Sequence, residues 1–175
     1  FAVTNPRKVA DALRFPVDVA PDSFDVRMLQ SVQVAPGGER VVFQALGHLY
    51  LRDTAGGEAR RLTKAEDEFE FYPAWSRDGS QIVYVSWNDE RLSTVRVMNV
   101  ANGESVAVTT EPGHYIDPTF SPDGATIVFS RTGGGYLTSP LWSRDTGVYA
   151  AANPLKGAPA AMHRVSTRGG SPQFG

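Results

Sequence analysis

The chain has 175 residues, the size of one ordinary domain, with 41% hydrophobic residues, a formal net charge of −2 and a sequence pI of about 5.9. That balance excludes the basic surface a nucleic-acid binder needs, and no apolar run approaches the ~20 residues of a membrane-spanning helix. There is no cysteine, so disulfides, thiolate chemistry and Cys-ligated zinc are excluded as well.

Residues 1–23 form an N-terminal arm. Asn5 followed by Pro6 predicts a short helix through Leu13, with Pro at its first position. Pro16 and Pro21 then impose an extended run. The first strands follow near Met28–Ala35, Arg40–Ala45, Gly47–Arg52 and Ala59–Thr63, with Ala55-Gly56-Gly57-Glu58 as the last turn. Next come Tyr72–Ser76, the turn Arg77-Asp78-Gly79, and Gln81–Trp87. On that strand Ile82, Tyr84 and Ser86 alternate with Val83, Val85 and Trp87, so both faces are largely apolar and both should be covered. Thr94–Val100 and Ser105–Thr109 follow, joined through Asn102-Gly103, a strong hairpin signal. Lys64–Phe69 is the best other helix candidate by composition, but it reads as a loop. Beyond it lie Asp117–Ser121 and Thr126–Arg131, then an insertion at 132–162. His163–Thr167 is the expected third strand of this group. Arg168-Gly169-Gly170 is its turn, and Ser171–Gly175 starts a fourth strand.

A ten-residue phrase recurs in this pattern. It reads Val34-Ala35-Pro36-Gly37-Gly38-Glu39-Arg40-Val41-Val42-Phe43, then Trp75-Ser76-Arg77-Asp78-Gly79-Ser80-Gln81-Ile82-Val83-Tyr84, then Phe120-Ser121-Pro122-Asp123-Gly124-Ala125-Thr126-Ile127-Val128-Phe129. Gly38 and Gly79 are 41 residues apart, and Gly79 and Gly124 are 45 apart. Such a period, filled with short strands, is the mark of β-propeller blades, each of which needs neighbours to bury its faces. The expected fold is therefore all-β: a propeller segment of about three four-stranded antiparallel blades after a short N-terminal arm. Blade 1 spans 24–63, blade 2 spans 64–110, and blade 3 spans 111–175 with its inserted loop. The start at Phe1 and the stop within a repeat predict a fragment of a longer chain.

The phrase Phe120-Ser121-Pro122-Asp123-Gly124 with Ile127-Val128-Phe129-Ser130 resembles the repeat of TolB-type propellers, which also occurs in propellers of the prolyl oligopeptidase family. Trp75-Ser76-Arg77-Asp78-Gly79 departs from it by Arg77 for Pro. The first copy departs further, with Gly37 for Asp. A narrower likeness lies in Arg14-Phe15-Pro16-Val17-Asp18, Ser23-Phe24-Asp25-Val26 and Arg40-Val41-Val42-Phe43-Gln44-Ala45-Leu46-Gly47. Gly133-Gly134-Gly135-Tyr136 and Ser139-Pro140-Leu141-Trp142-Ser143-Arg144 add to it. These resemble the start of large exported bacterial proteins that join a TolB-like propeller to an amidohydrolase domain. The resemblance implies a non-catalytic accessory module, periplasmic or secreted, whose metal-dependent hydrolase lies beyond residue 175. Two alternatives stay open. One is a stand-alone periplasmic protein-binding propeller of Tol-Pal type. The other is the gating propeller of a serine peptidase.

The chain carries little chemistry of its own. His48, His114 and His163 fall in three different repeats, with no His-x-His and no His-Glu-x-x-His. Gly-x-Ser-x-Gly is absent, and Gly133-Gly134-Gly135 has no following Lys and helix. No catalytic residue, metal or cofactor is expected. Glu66-Asp67-Glu68 with Glu70 reads either as a cation site or as a solvated loop between blades. Loops entering innermost strands commonly line a propeller's channel mouth, which singles out Glu70, Tyr72, His114, Tyr115 and Asp117, with Arg144 and Asp145 from the insertion. Tyr72, Trp75, Phe120 and Phe129 are core by position. Trp87 and Trp142 read as interblade packing or as recognition aromatics. The expected partner is a protein or peptide, or the remainder of the same polypeptide. Open blade faces predict pairing with a second copy.

Overall fold

A computed structural model of the chain describes residues 22, 24–133, 146–159 and 161–165. The described strands form three four-stranded antiparallel sheets, each in chain order. The first holds β1 (Gln30–Val34), β2 (Arg40–Ala45), β3 (His48–Asp53) and β4 (Arg60–Arg61). The second holds β5 (Phe69–Trp75), β6 (Gln81–Asn88), β7 (Leu92–Asn99) and β8 (Ser105–Ala107). The third holds β9 (His114–Phe120), β10 (Thr126–Thr132), β11 (Gly147–Ala152) and β12 (Met162–Arg164).

The alternation on β6 divides the core in two. Ile82 and Tyr84, with Met98 and Val100, pack on Val42, Leu49, Leu51 and Leu62 of the first sheet. Val83 and Val85, with Val95, Val97 and Val108, pack on Tyr115, Ile127, Phe129, Tyr149 and Ala151 of the third. Each fully buried aliphatic side chain contributes about 1.5–3 kcal/mol relative to exposure. The middle blade is thus held from both sides, as its two apolar faces require.

The recurring phrase is the turn between the first two strands of each blade. Gly38, Gly79 and Gly124 all have positive φ, at 78°, 70° and 67°, which glycine adopts at little cost. Their N–H groups donate to Ala35 O, Ser76 O and Ser121 O at 2.8, 2.9 and 2.8 Å. In the second turn Asp78 Oδ1 accepts from Ser76 Oγ at 2.6 Å, Ser80 Oγ at 2.8 Å and Ser80 N at 3.1 Å. The Ser76 hydroxyl and the Ser80 donors hold this carboxyl down at about 2. Asp123 repeats the arrangement with Ser121 and Ala125 N.

Blade 3 corrects one expectation. Its third strand is Gly147–Ala152, inside the stretch read as an insertion, and Met162–Arg164 is the fourth strand rather than the start of the third. Alanine has weak strand preference in isolation, so Tyr149-Ala150-Ala151-Ala152 reads poorly as a strand. Packing overrides that preference. Phe129 pairs with Tyr149 across the sheet and their rings stack at 6.3 Å, while Ala151 is fully buried beneath the second blade. A short 3-10 turn, Pro154–Lys156, follows where no helical turn was expected. Asn153 caps it by accepting from Leu155 N, and Gly157 ends it at φ 82°. The predicted helix at 5–13, the turn 168–170 and the strand 171–175 lie outside the described residues. Among the described residues no helix is long and apolar enough to cross a membrane.

Candidate functional site

The innermost strands β1, β5 and β9 share an irregularity that the turns do not explain. Gln30 pairs with Gln44 and Gln33 with Val42, so three steps on β1 match two on β2. The same slip lies between Phe71 and Ala74 on β5, and between Ile116 and Thr119 on β9. Each is a β-bulge with one extra residue. At each bulge one non-glycine residue has positive φ: Ser31 at 50°, Tyr72 at 54° and Asp117 at 50°. Ser31 and Tyr72 are 41 residues apart and Tyr72 and Asp117 are 45 apart, the same steps that separate the turn glycines. Left-handed backbone at a bulky residue costs of order 1–3 kcal/mol and persists only where its surroundings impose it. Pro73 and Pro118 complete two of the bulges, where a missing N–H costs the ladder nothing.

The three bulges face one groove of about 310 Å³, lined by Ser31, Gln33, Tyr72, Pro73, Asp117 and Thr119. Tyr72 also walls a neighbouring depression of about 460 Å³, where Phe71, Trp87, His114, Ile116 and Thr132 lie. The His114 ring sits over Trp87, with centroids 5.2 Å apart, and Trp87 Nε1 donates to Asp89 Oδ1 at 2.8 Å. An aromatic floor with carboxylates beside it suits an apolar group flanked by a donor or cation.

The sequence-derived site residues separate into two sets. Tyr72, at 39% exposed, the exposed Asp117 and the half-buried His114 come together at these depressions. The assignment of Tyr72 to the core is therefore corrected, because the bulge turns it outward. Phe129 is core as expected, while Trp75 and Phe120 are only half-buried. Glu70 is 1% exposed and its Oε2 accepts Leu49 N at 2.8 Å, 4.0 Å from His48 Nδ1. The N–H of Glu70 donates to Gly47 O at 2.8 Å, so this residue stitches β5 to the β2–β3 hairpin. Tyr115, 2% exposed, does the same between blades 2 and 3: its N–H donates to Ser93 Oγ at 2.8 Å and its ring meets Phe129 edge-on. Arg144 and Asp145 lie outside the described residues.

The acidic run does not act as one unit. Asp67 and Glu68 both pair with Arg91, at 2.9 and 3.1 Å, while Glu70 is interior. Among the described residues no three His, Cys, Asp or Glu side chains cluster as metal ligands would.

The geometry matches known propellers. A TolB protein of Agrobacterium tumefaciens superposes with a TM-score of 0.62 at 20% identity, over 83% of this chain and 49% of that one. The fold is TolB-like. Sequence comparison agrees: the Tol-Pal system protein TolB of Francisella tularensis subsp. mediasiatica is 29% identical over 104 residues, which is 59% of this chain. The chain spans 22% of that relative's length. An oligogalacturonate lyase from Vibrio parahaemolyticus shares the fold at 10% identity and a TM-score of 0.61, over 79% of this chain and 40% of its own. One architecture therefore serves proteins with different names and activities. No protein-family model matches the chain.

Ser31 and Gln33 of this TolB-like segment escaped the sequence reading, and so did the bulges. Proline in mid-strand, at Tyr72-Pro73 and Asp117-Pro118, was the available signal. Ser31-Val32 carries no such mark and is found only by its place in the repeat.

Proposed function

We propose that this segment is a non-catalytic protein- or peptide-binding module of an exported bacterial protein, and that its partner docks where β1, β5 and β9 meet. The observation that carries this reading is the threefold bulge, which places Ser31, Tyr72 and Asp117 on one groove at a conformational cost repeated in every blade. His114 and Trp87 extend the contact surface, while Glu70 and Tyr115 hold the blades that present it. The TolB relatives, named for the Tol-Pal system, support a protein partner. The segment's place is the periplasm or the cell exterior, which the TolB relatives support, and its role there is accessory to an amidohydrolase-like domain, as the sequence resemblance implies.

Selection of displayed peptides on the purified chain tests this reading. Enriched peptides should lose at least tenfold in affinity on Tyr72→Ala or Asp117→Asn, with the circular dichroism spectrum unchanged. Failure to enrich any peptide, or binding indifferent to both substitutions, would overturn it.

A further inference from the structure

A second depression, of about 440 Å³, lies away from that groove, between the second sheet and residues 62–68. Arg96 of β7 lines it, half-buried. Its Nε donates to Ser105 Oγ at 3.1 Å, and Ser105 Oγ lies 2.9 Å from Tyr84 Oη. Among the described residues Arg96 makes no ion pair, and the acidic side chains that line this depression, Asp67 and Glu68, both pair with Arg91. Thr63 lines the same space, is 8% exposed, and has a buried Oγ1 with no hydrogen-bond partner.

A buried hydroxyl without a partner is costly, and a half-buried guanidinium without a counterion keeps its outer donors free for an anion. A planar oxyanion carries the acceptors that both groups lack. Its two oxygens match the fork of Arg96, and either can accept from Thr63. Lys64 at the rim adds one exposed cation, while Asp67 and Glu68 disfavour two charges on a single group, as in a phosphate dianion. The geometry points to a binding site for the carboxylate of a small organic acid, held by Arg96 and Thr63. This site is independent of the groove at Tyr72 and stands or falls without it.

The test is a titration of the full 175-residue chain with glutarate, followed by the side-chain Nε–H resonance of Arg96 and the amide resonances of Thr63 and Ser105. The expected result is a saturable shift at these signals that sodium chloride of equal ionic strength does not reproduce. Arg96→Lys, which keeps the charge and loses the fork, should weaken binding at least fivefold. Thr63→Val, which keeps shape and fold, should weaken it severalfold. Shifts no larger than those from chloride, or affinity unchanged in both variants, would overturn the site. Saturation by inorganic phosphate but not by glutarate would overturn the carboxylate assignment. Saturation by an acetylated, amidated Gly-Glu-Gly peptide but not by glutarate would overturn the small-acid source.

Discussion

The Asn153 side chain is completely buried and donates through Nδ2 to Gln81 Oε1 at 2.7 Å, joining the third blade to the second across 72 positions of sequence. The same nitrogen donates to Gly124 O at 2.9 Å, and Asn153 Oδ1 accepts from Leu155 N at 3.1 Å. One amide therefore fixes the end of β11, the turn of blade 3 and the start of β6. Asn153→Ala should destabilise the chain by about 1–3 kcal/mol, because the buried Gln81 Oε1 loses its donor. Asn153→Asp should be at least as harmful, since an ionised carboxylate cannot donate to Gln81 Oε1 or Gly124 O. Urea unfolding of the three proteins measures both differences.

Asp117 sits at φ 50° within a strand. Asp tolerates this backbone better than most residues, and β-branched side chains tolerate it least. Asp117→Val is expected to cost about 1–2 kcal/mol, while Asp117→Gly should be near neutral. Equal stability of the Val and Gly variants would show that the bulge is relaxed in solution.

The Asp78 carboxyl is lowered from 3.8 to about 2 by its hydrogen bonds to Ser76 and Ser80. A depressed carboxyl contributes stability that is fully present above the unfolded value and is lost as pH falls through the folded one. The advantage of the native chain over Asp78→Asn should therefore be constant above about pH 5 and fade as pH falls from 3.8 through about 2. Solvent screening at this exposed turn holds it to about 1 kcal/mol or less. Acid titration of the unfolding midpoint reads it directly.

On β1 of the first sheet Val32 is 52% exposed and Val34 58% exposed, and Leu46, just past the end of β2, is 57% exposed. Several apolar side chains on one unpartnered sheet favour association. Sedimentation of the isolated chain should show a concentration-dependent dimer, and Val34→Lys should shift it toward monomer. A strictly monomeric chain at millimolar concentration contradicts this.

What the sequence determined by itself was local or periodic. Gly38, Gly79 and Gly124 announce their turns because positive φ is a property of single residues. The alternation on β6 announces two covered faces because its period is set by the backbone. The candidates Tyr72, His114 and Asp117 were reachable because repeat position alone places them on loops entering innermost strands. Tertiary structure decided the rest. Glu70 and Tyr115 occupy corresponding positions and look equally available, yet both are interior, because Leu49 N and Ser93 Oγ come from neighbouring hairpins far along the chain. β11 is a strand because β10 pairs with it, Phe129 stacks on its Tyr149 and the second blade covers Ala151. Ser31, Tyr72 and Asp117 share one groove because the blades stack side by side, and contacts between blades are set by packing that no single repeat contains.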